Sequence, residues 1–229
     1  MKITALIPAR KNSERFPGKN FTPFLGKPLF MHSVDFAKES ELVTDYFVTT
    51  NDDIIIAHCE DNSIPYIKRP DKYCTPTSSS ASFVAHFLNE LINKLKELPD
   101  ALLILQPTDP IRQHSFLKDI IQLYHSKSAD CVFTVVQCKT KMGRIIDGVF
   151  VPYNYSFGQR FQDIEPYFEE KGIFYLINVA SFLKNNSFFG QRNIPYIIPE
   201  YYRNMDIDTE LELDIAEMTF KKCIHKDLN

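Results

Sequence analysis

Four cations crowd one short stretch near the start of this chain. Arg10, Lys11, Arg15 and Lys19 stand within ten positions, with the amide of Asn12, the hydroxyl of Ser13 and a Pro17–Gly18 turn among them, directly after the apolar run ITALIP (3–8). Arginine forks and a lysine point charge on one loop suit a polyphosphate, and loop amides add to such a cradle. The stretch has neither the GxGxxG spacing of a dinucleotide fingerprint nor the GxxxxGK(S/T) spacing of a Walker loop. On composition alone a solvated surface loop reads equally well.

Two more segments carry chemistry. In MDID (205–208), Asp206 and Asp208 alternate, so an extended backbone turns both carboxylates to one side. Two hard oxygen donors on one face suit Mg²⁺, which binds one or two carboxylates together with substrate phosphates. Asp208 before TELEL also reads as a helix N-cap, which leaves Asp206 the more informative residue. In QPTDPIR (106–112), Gln106 and Thr108 offer an amide and a hydroxyl that can read a base edge, with Pro107 and Pro110 fixing the backbone. A proline-rich turn into the next helix is the alternative there. The six histidines make no HExxH or other metal spacing and read as structural or surface residues.

The elements that must position these segments alternate. Strands are expected at 3–8, 45–50, 64–68, 101–106, 130–137, 172–178 and 194–200, and helices at 28–40, 52–61, 78–98, 115–126 and 208–223. Asp52 and Asp53 open one helix at its favoured end, and serines are available to cap the helix at 78. ALLILQ has the unbroken apolarity of a strand buried on both faces. Strand–helix alternation implies an α/β fold with a parallel sheet covered by helices on both sides. Ligands of such sheets sit at the carboxyl ends of the strands, where the loop after 8, the segment 69–80, QPTDPIR and MDID converge. Residues 138–171, rich in Tyr, Phe, Gly, Arg and Lys, break the rhythm and read as an inserted lobe within a single domain, 1–229.

Composition bounds the rest. The 229 residues are 44% hydrophobic and 24% charged, enough for a full core. A net charge of −3 supplies no basic field for nucleic acid. No stretch approaches the roughly 18 apolar residues of a membrane helix, and the start of the chain does not read as a signal peptide. Five cysteines without a CxxC pair read as reduced thiols of a cytoplasmic protein.

IPARKNSERFPGKN, LQPTDPIR and NMDIDTELEL together resemble the CMP-sialic acid synthetases, the acylneuraminate cytidylyltransferase family, whose typical segments are IPARxxS(K/R)xxPxKN, LQPTSPLR and DxIDTExDL. RPDKYCTPTSSS (69–80) resembles that family's RP…SS segment, and the matches lie in the family's order across nearly the whole chain. The resemblance implies a Rossmann-like nucleotidyltransferase fold of the GT-A type. It implies a reaction in which CTP and the anomeric hydroxyl of an acidic sugar (sialic, legionaminic or pseudaminic acid type) give a CMP-sugar and pyrophosphate, with Mg²⁺. It places Arg10, Asn12, Ser13, Arg15 and Lys19 on the triphosphate and Asn20, Arg69, Ser80, Gln106 and Thr108 around cytosine and ribose. It gives Asp206 and Asp208 the metal, with Asp208 also helping to deprotonate the sugar hydroxyl. It implies a homodimer, with the lobe reaching the partner's site.

The departures fall in the acceptor half. SERFPGK is closer to the STRLPGK of the KDO cytidylyltransferases, Asp109 stands where Ser is usual, and Pro76 where Asp is common. Before the seventh strand the family often has RxNGAIY; here Glu169, Glu170 and Lys171 occupy that stretch. Acidic residues there repel a sugar carboxylate unless a cation compensates, and Lys141, Arg144 and Arg160 are the candidates in the lobe. GQRFQDIEP resembles the family's RQDLP segment and favours Arg160, while Phe188 and Phe189 match an aromatic pair of the acceptor pocket. A KDO-type or other acceptor, and a non-catalytic nucleotide-binding protein, are the alternative functions; an NAD-dependent oxidoreductase is disfavoured by the missing glycine fingerprint.

Overall fold

The computed structural model describes residues 1–11, 13–75 and 77–224. In chain order the elements are β1 (Ile3–Pro8), a small hairpin of β2 (Pro23–Phe24) and β3 (Lys27–Pro28), α1 (Leu29–Glu39), β4 (Asp45–Thr50), α2 (Asp53–Asp61), β5 (Tyr66–Lys68) and α3 (Ser80–Leu95). There follow β6 (Ala101–Ile104), α4 (His114–Lys127), β7 (Cys131–Cys138), a hairpin of β8 (Gly143–Ile146) and β9 (Val149–Pro152), β10 (Tyr167–Asn178), α5 (Val179–Asn185), β11 (Asn193–Ile198) and α6 (Glu210–Thr219).

Seven strands form one twisted sheet in the order β11–β7–β10–β6–β1–β4–β5. All run parallel except β10, which is antiparallel to both β6 and β7. The sheet is thus mostly parallel, as expected, with β10 as its one antiparallel strand among the described residues. Strand alternation splits the buried residues between two cores. Ala101 and Leu103 of β6 join α1, α2, α4 and α6 on one face, and Leu102 and Ile104 join α3 and α5 on the other. Helix starts follow local chemistry. The Asp52 carboxylate accepts from the Ile54 N–H at 3.0 Å, and the Ser79 hydroxyl from the Ser82 N–H at 3.3 Å, each satisfying an otherwise unpaired helical donor.

The sheet differs from the sequence expectation at β10, which begins five residues early. Tyr167–Lys171 pairs with β7 before the register breaks between Lys171 and Tyr175. Thr134 stitches this bulge: its hydroxyl donates to the Lys171 carbonyl at 2.7 Å and accepts from the Phe174 N–H at 3.2 Å. Gly172 lies in the bulge against the loop after β6, where an added Cβ would sit 2.1 Å from Gln106 Oε1. Glycine is needed there for close approach rather than for backbone freedom.

Arg112 bolts these parts together from inside. Its guanidinium donates to the carbonyls of Ile173 (2.9 Å) and Gln106 (2.6 Å) and to the Ser33 hydroxyl (3.0 Å), joining β10, the β6 loop and α1. Removing it takes a donor from the Ile173 and Gln106 carbonyls and leaves the buried Asp109 with Lys171 alone of its two nearby cations. Arg112→Ala is expected to lower stability by about 3–5 kcal/mol, the scale for breaking a buried charge network, read by denaturant unfolding; a midpoint within error of the parent would remove the bolt from this account.

Candidate active site

Every parallel strand of the sheet ends at one rim, and the segments that follow β1, β5 and β6 meet there around a cavity of about 480 Å³. Arg10, Ser13, Arg15, Lys19 and Asn20 line it from the opening loop, Arg69 and Ser80 from the segment around α3, Gln106 and Thr108 from the β6 loop, and Asp208 from the far end of the chain. Ten of the residues expected to hold a nucleotide and its metal thus share one cavity. Asn12 lies outside the described residues.

Local structure explains each placement. Gly18 takes φ +73°, a turn that delivers Lys19 into a short 3₁₀ segment (Lys19–Phe21). Asn20 is buried and donates its side-chain amide to the Arg10 carbonyl at 3.0 Å, which closes the loop on itself. The Arg10 guanidinium crosses to the Cys74 carbonyl at 3.1 Å and ties the opening loop to the opposite wall. Arg69 is 3% exposed, donates to the Thr49 carbonyl at 2.8 Å and stacks over the Phe83 ring at 4.6 Å. Burial pushes its guanidinium down to about 10, so it remains a cation at neutral pH, built into the wall. Tyr73, Thr75, Ser78 and Phe83 also face the cavity. Sequence reading gave none of the four a role, although Tyr73, Thr75 and Ser78 lie within RPDKYCTPTSSS, the segment it singled out.

The aspartates sit opposite the cations. Thr209 takes the helix start: its hydroxyl accepts from the Glu212 N–H at 3.3 Å, and Glu212 returns a carboxylate to the Asp208 N–H at 2.9 Å. This corrects the reading of Asp208 as N-cap and frees its side chain for the cavity. Lys19 Nζ meets Asp208 Oδ1 at 2.5 Å, and Arg15 grips the other oxygen. Burial opposes the Asp208 charge, but Lys19 and Arg15 outweigh it and hold the carboxyl below the ordinary carboxylate range. Asp206 is the reverse case. Burial, then the Asp208 charge, pushes its carboxyl up, against a hydrogen bond from Thr108 and the charges of Lys171 and Lys19.

Two crowded carboxylates with hard oxygens are a donor set that a divalent cation relieves, so the residues fit Mg²⁺. Among the described residues no group of three or more His, Cys, Asp or Glu stands at metal-holding geometry. The two aspartates would therefore need substrate oxygens to complete such a shell.

A second cavity, about 250 Å³, adjoins the first and shares Ser80 and Gln106 with it. Phe188 and Phe189 line it, together with Glu170, whose carboxylate accepts from the Tyr175 hydroxyl at 2.6 Å. Lys141 and Arg160 stand at neither cavity. Lys141 donates to the Gln159 carbonyl at 2.7 Å, and Arg160 pairs with Asp163 at 2.7 Å, both exposed. The cations that face the acidic stretch are others. Glu169 pairs with Lys171 at 3.0 Å and with Arg203 at 2.9 Å. Neither was legible as a partner, because both reach Glu169 only through the β10 pairing and the turn before MDID.

An anion-holding loop, neutral donors for a flat polar group and the Asp208 carboxylate on one cavity, with Asp206 two residues away and outside its lining, make a site for a nucleoside polyphosphate and a second, smaller substrate. Known proteins agree. The chain is 28% identical over 230 residues to the CMP-N,N'-diacetyllegionaminic acid synthase of Legionella pneumophila, covering 95% of each. It is 27% identical over 223 residues to the N-acylneuraminate cytidylyltransferase of Escherichia coli O18:K1:H7, covering 94% of this chain and about half (51%) of that longer protein. The fold superposes with a TM-score of 0.70 and 15% identity on a solved CMP:2-keto-3-deoxy-manno-octonic acid synthetase complexed with CTP, over 97% of this chain and 99% of that one. The family model described as cytidylyltransferase matches residues 4–225, and the chain belongs to the cytidylyltransferase family.

Proposed function

We propose that this protein transfers the cytidylyl group of CTP to an acidic sugar of the sialic, legionaminic or pseudaminic acid type, releasing pyrophosphate. The observation that carries the reading is the meeting of Lys19 and Arg15 with Asp208 across one cavity, which sets phosphate-binding cations against a carboxylate. The end-to-end match with a legionaminic acid synthase favours a nine-carbon acidic sugar over KDO.

In this reading Arg10, Arg15 and Lys19 neutralise the triphosphate and the charge that grows on departing pyrophosphate. Ser13 on the same loop adds a neutral donor, and Asn12, next to it in sequence, is assigned the same part. Gln106, Thr108 and Ser80 face the cytosine and ribose, with Asn20 and the walled-in Arg69 supporting them. Asp206 and Asp208 hold Mg²⁺, which when bound draws negative charge off the phosphates and orients them. Lys19 and Arg15 keep Asp208 ionised, which suits a metal ligand better than a proton acceptor for the sugar hydroxyl. The second cavity, with Phe188 and Phe189 opposite Gln106, receives the body of the sugar. Lys141 and Arg160, away from both cavities in this chain, reach a site only from a partner copy.

A homodimer with 138–171 as its inserted arm belongs to the same proposal, as does a cytoplasmic setting, which the buried free thiols of Cys59, Cys74 and Cys131 favour. Ile145, Val149, Tyr153 and Phe157 are 77%, 63%, 63% and 71% exposed on the arm, an apolar surface that a second copy would cover. Among the described residues no helix is long and apolar enough to cross a membrane.

Pyrophosphate release from CTP, Mg²⁺ and a panel of acidic sugars tests the reading; absence of release with every sugar would favour a nucleotide-binding protein without catalysis. Asp206→Asn is expected to lower kcat at least about 100-fold, roughly 3 kcal/mol, while the melting temperature holds or rises because a crowded buried charge is gone. Parent-level turnover across a magnesium titration would remove the metal assignment. Sedimentation at micromolar concentration is expected to give twice the mass of the 26.6 kDa chain, and Ile145→Asp with Phe157→Asp is expected to give single chains; a parent that sediments as one chain sinks the dimer.

A further inference from the structure

The second cavity carries the wrong charge for an acid. Among the described residues that line it Glu170 alone is charged, and no lysine or arginine stands in its wall. The strand explains the imbalance. Side chains alternate along β10 before the bulge, so Glu169 and Lys171 share one face and Glu170 takes the other. Lys171 and Arg203 both go to Glu169, and Glu170 has no ion pair among the described residues. A neutral donor holds its carboxylate instead: the Tyr175 hydroxyl donates to Oε1 at 2.6 Å, and Oε2 accepts no hydrogen bond among the described residues.

The bulge makes that contact possible. Residues five apart point to opposite faces of an unbroken strand. Here Glu170 stands opposite Val135 and Tyr175 opposite Phe133, two residues apart on β7, so the irregularity between Lys171 and Tyr175 returns both to one face. Tyr175 is buried, and its ring meets Phe188 at 5.7 Å and Phe189 at 6.4 Å. Burial, then Glu170 itself, pushes the Tyr175 phenol up, so it stays a donor at neutral pH. The carboxylate is thus fixed on one oxygen, open on the other and flanked by aromatic rings. A neutral donor seated there supplies a hydrogen bond but no counter-charge for a carboxylate that loses its water. A protonated nitrogen supplies both, and aromatic rings suit a cation.

We propose that Glu170, held by Tyr175, binds a protonated amino group on the body of the acidic sugar. The proposal rests on the cytidylyltransferase reading and names its substrate more closely: a sugar that carries, besides its carboxylate, an amine left unacylated. Like charge turns the sugar's own carboxylate away from Glu170. Glu170 is then a specificity residue and Tyr175 a positioning residue.

The test is steady-state pyrophosphate release by the full chain with CTP, Mg²⁺ and matched acidic sugars that bear an amino, an N-acetylamino or a hydroxyl group at the same carbon. The parent is expected to favour the amino sugar in kcat/KM by about tenfold or more, the scale of a charge-assisted hydrogen bond. Glu170→Gln, which keeps the shape and loses the charge, is expected to erase that preference, with the KM for CTP within about twofold of the parent. Tyr175→Phe, which frees the carboxylate to turn, is expected to reduce the preference a few-fold, again without touching CTP. A merely structural role would lower activity with all three sugars alike. A parent that favours a neutral counterpart or treats the three alike would overturn the assignment while leaving the enzyme reading intact, as would a preference for the amine that survives Glu170→Gln. A parent that releases no pyrophosphate with any acidic sugar would overturn both.

Discussion

A lysine whose side chain is 8% exposed must have a counter-charge within reach, because an ammonium taken out of water alone costs several kcal/mol. For Lys19 that counter-charge is Asp208, 189 residues away in sequence. The pairing fixes how the chain can close. β1 takes a central place in the sheet, the loop after it turns back at Gly18, and the segment leading into α6 lies across the same rim. Arg15 adds a second cation to the same carboxylate and Arg10 ties the loop to the far wall. Fold and site are thus coupled through one charge balance: the loop cations are held ready for an anion by an aspartate that shares their cavity.

How much of this is legible in the sequence depends on the range of the physics involved. Local signals were read well. DYFVTT is β4 to the residue, and Asp52 and the serines before α3 cap the helices that follow them. The convergence of loops at the carboxyl rim follows from strand–helix alternation alone. The direction of β10 does not, because GIFYLIN is buried on both faces and reads the same whichever way it runs. α5 is seven residues long, too short to show a helical period. The β8–β9 hairpin did leave a mark. Asp147 and Gly148 both have positive φ in its two-residue turn, the Asp-Gly signal of a tight hairpin, but no buried alternation flanks it because every residue of β8 is exposed. The alternative reading of Asp208 as a cap fails because Thr209 takes that place, which only the Glu212 hydrogen bonds reveal.

Charge pairing at long range was the hardest to foresee. Arg112 in QPTDPIR looks like part of a binding motif, yet it is 9% exposed and spends its donors on three carbonyls and a hydroxyl. Glu169 looks hostile to an acidic ligand, yet two cations outweigh it. In both cases a residue type was read correctly and its role was not, since the role depends on which partner the sheet brings alongside. The cations suggested by proximity in sequence, Lys141 and Arg160, bond instead within their own arm.

The same logic orders the carboxylates at the rim. Asp109 is buried while Asp206 and Asp208 are partly exposed, and each has a different balance of charge. Asp109 is pushed up by burial and then by Asp206, with Lys171, Arg112 and the Gly172 N–H pulling against that. Asp206 is pushed up by burial and by Asp208. Asp208, nearest the cavity, is held ionised by Lys19 and Arg15. Repulsion therefore accumulates inward while cations are supplied at both ends, Lys171 and Arg112 beneath and Lys19 and Arg15 above. Such a column is coupled: removing a cation at either end leaves carboxylates facing one another in poor solvent, and removing Asp208 leaves the buried Lys19 without its partner, whereas removing the crowded charge of Asp206 relieves repulsion. The substrate-facing end of the column is the one place where added charge of either sign can be accommodated, because water and ligand both reach it, and that is where the cavity opens.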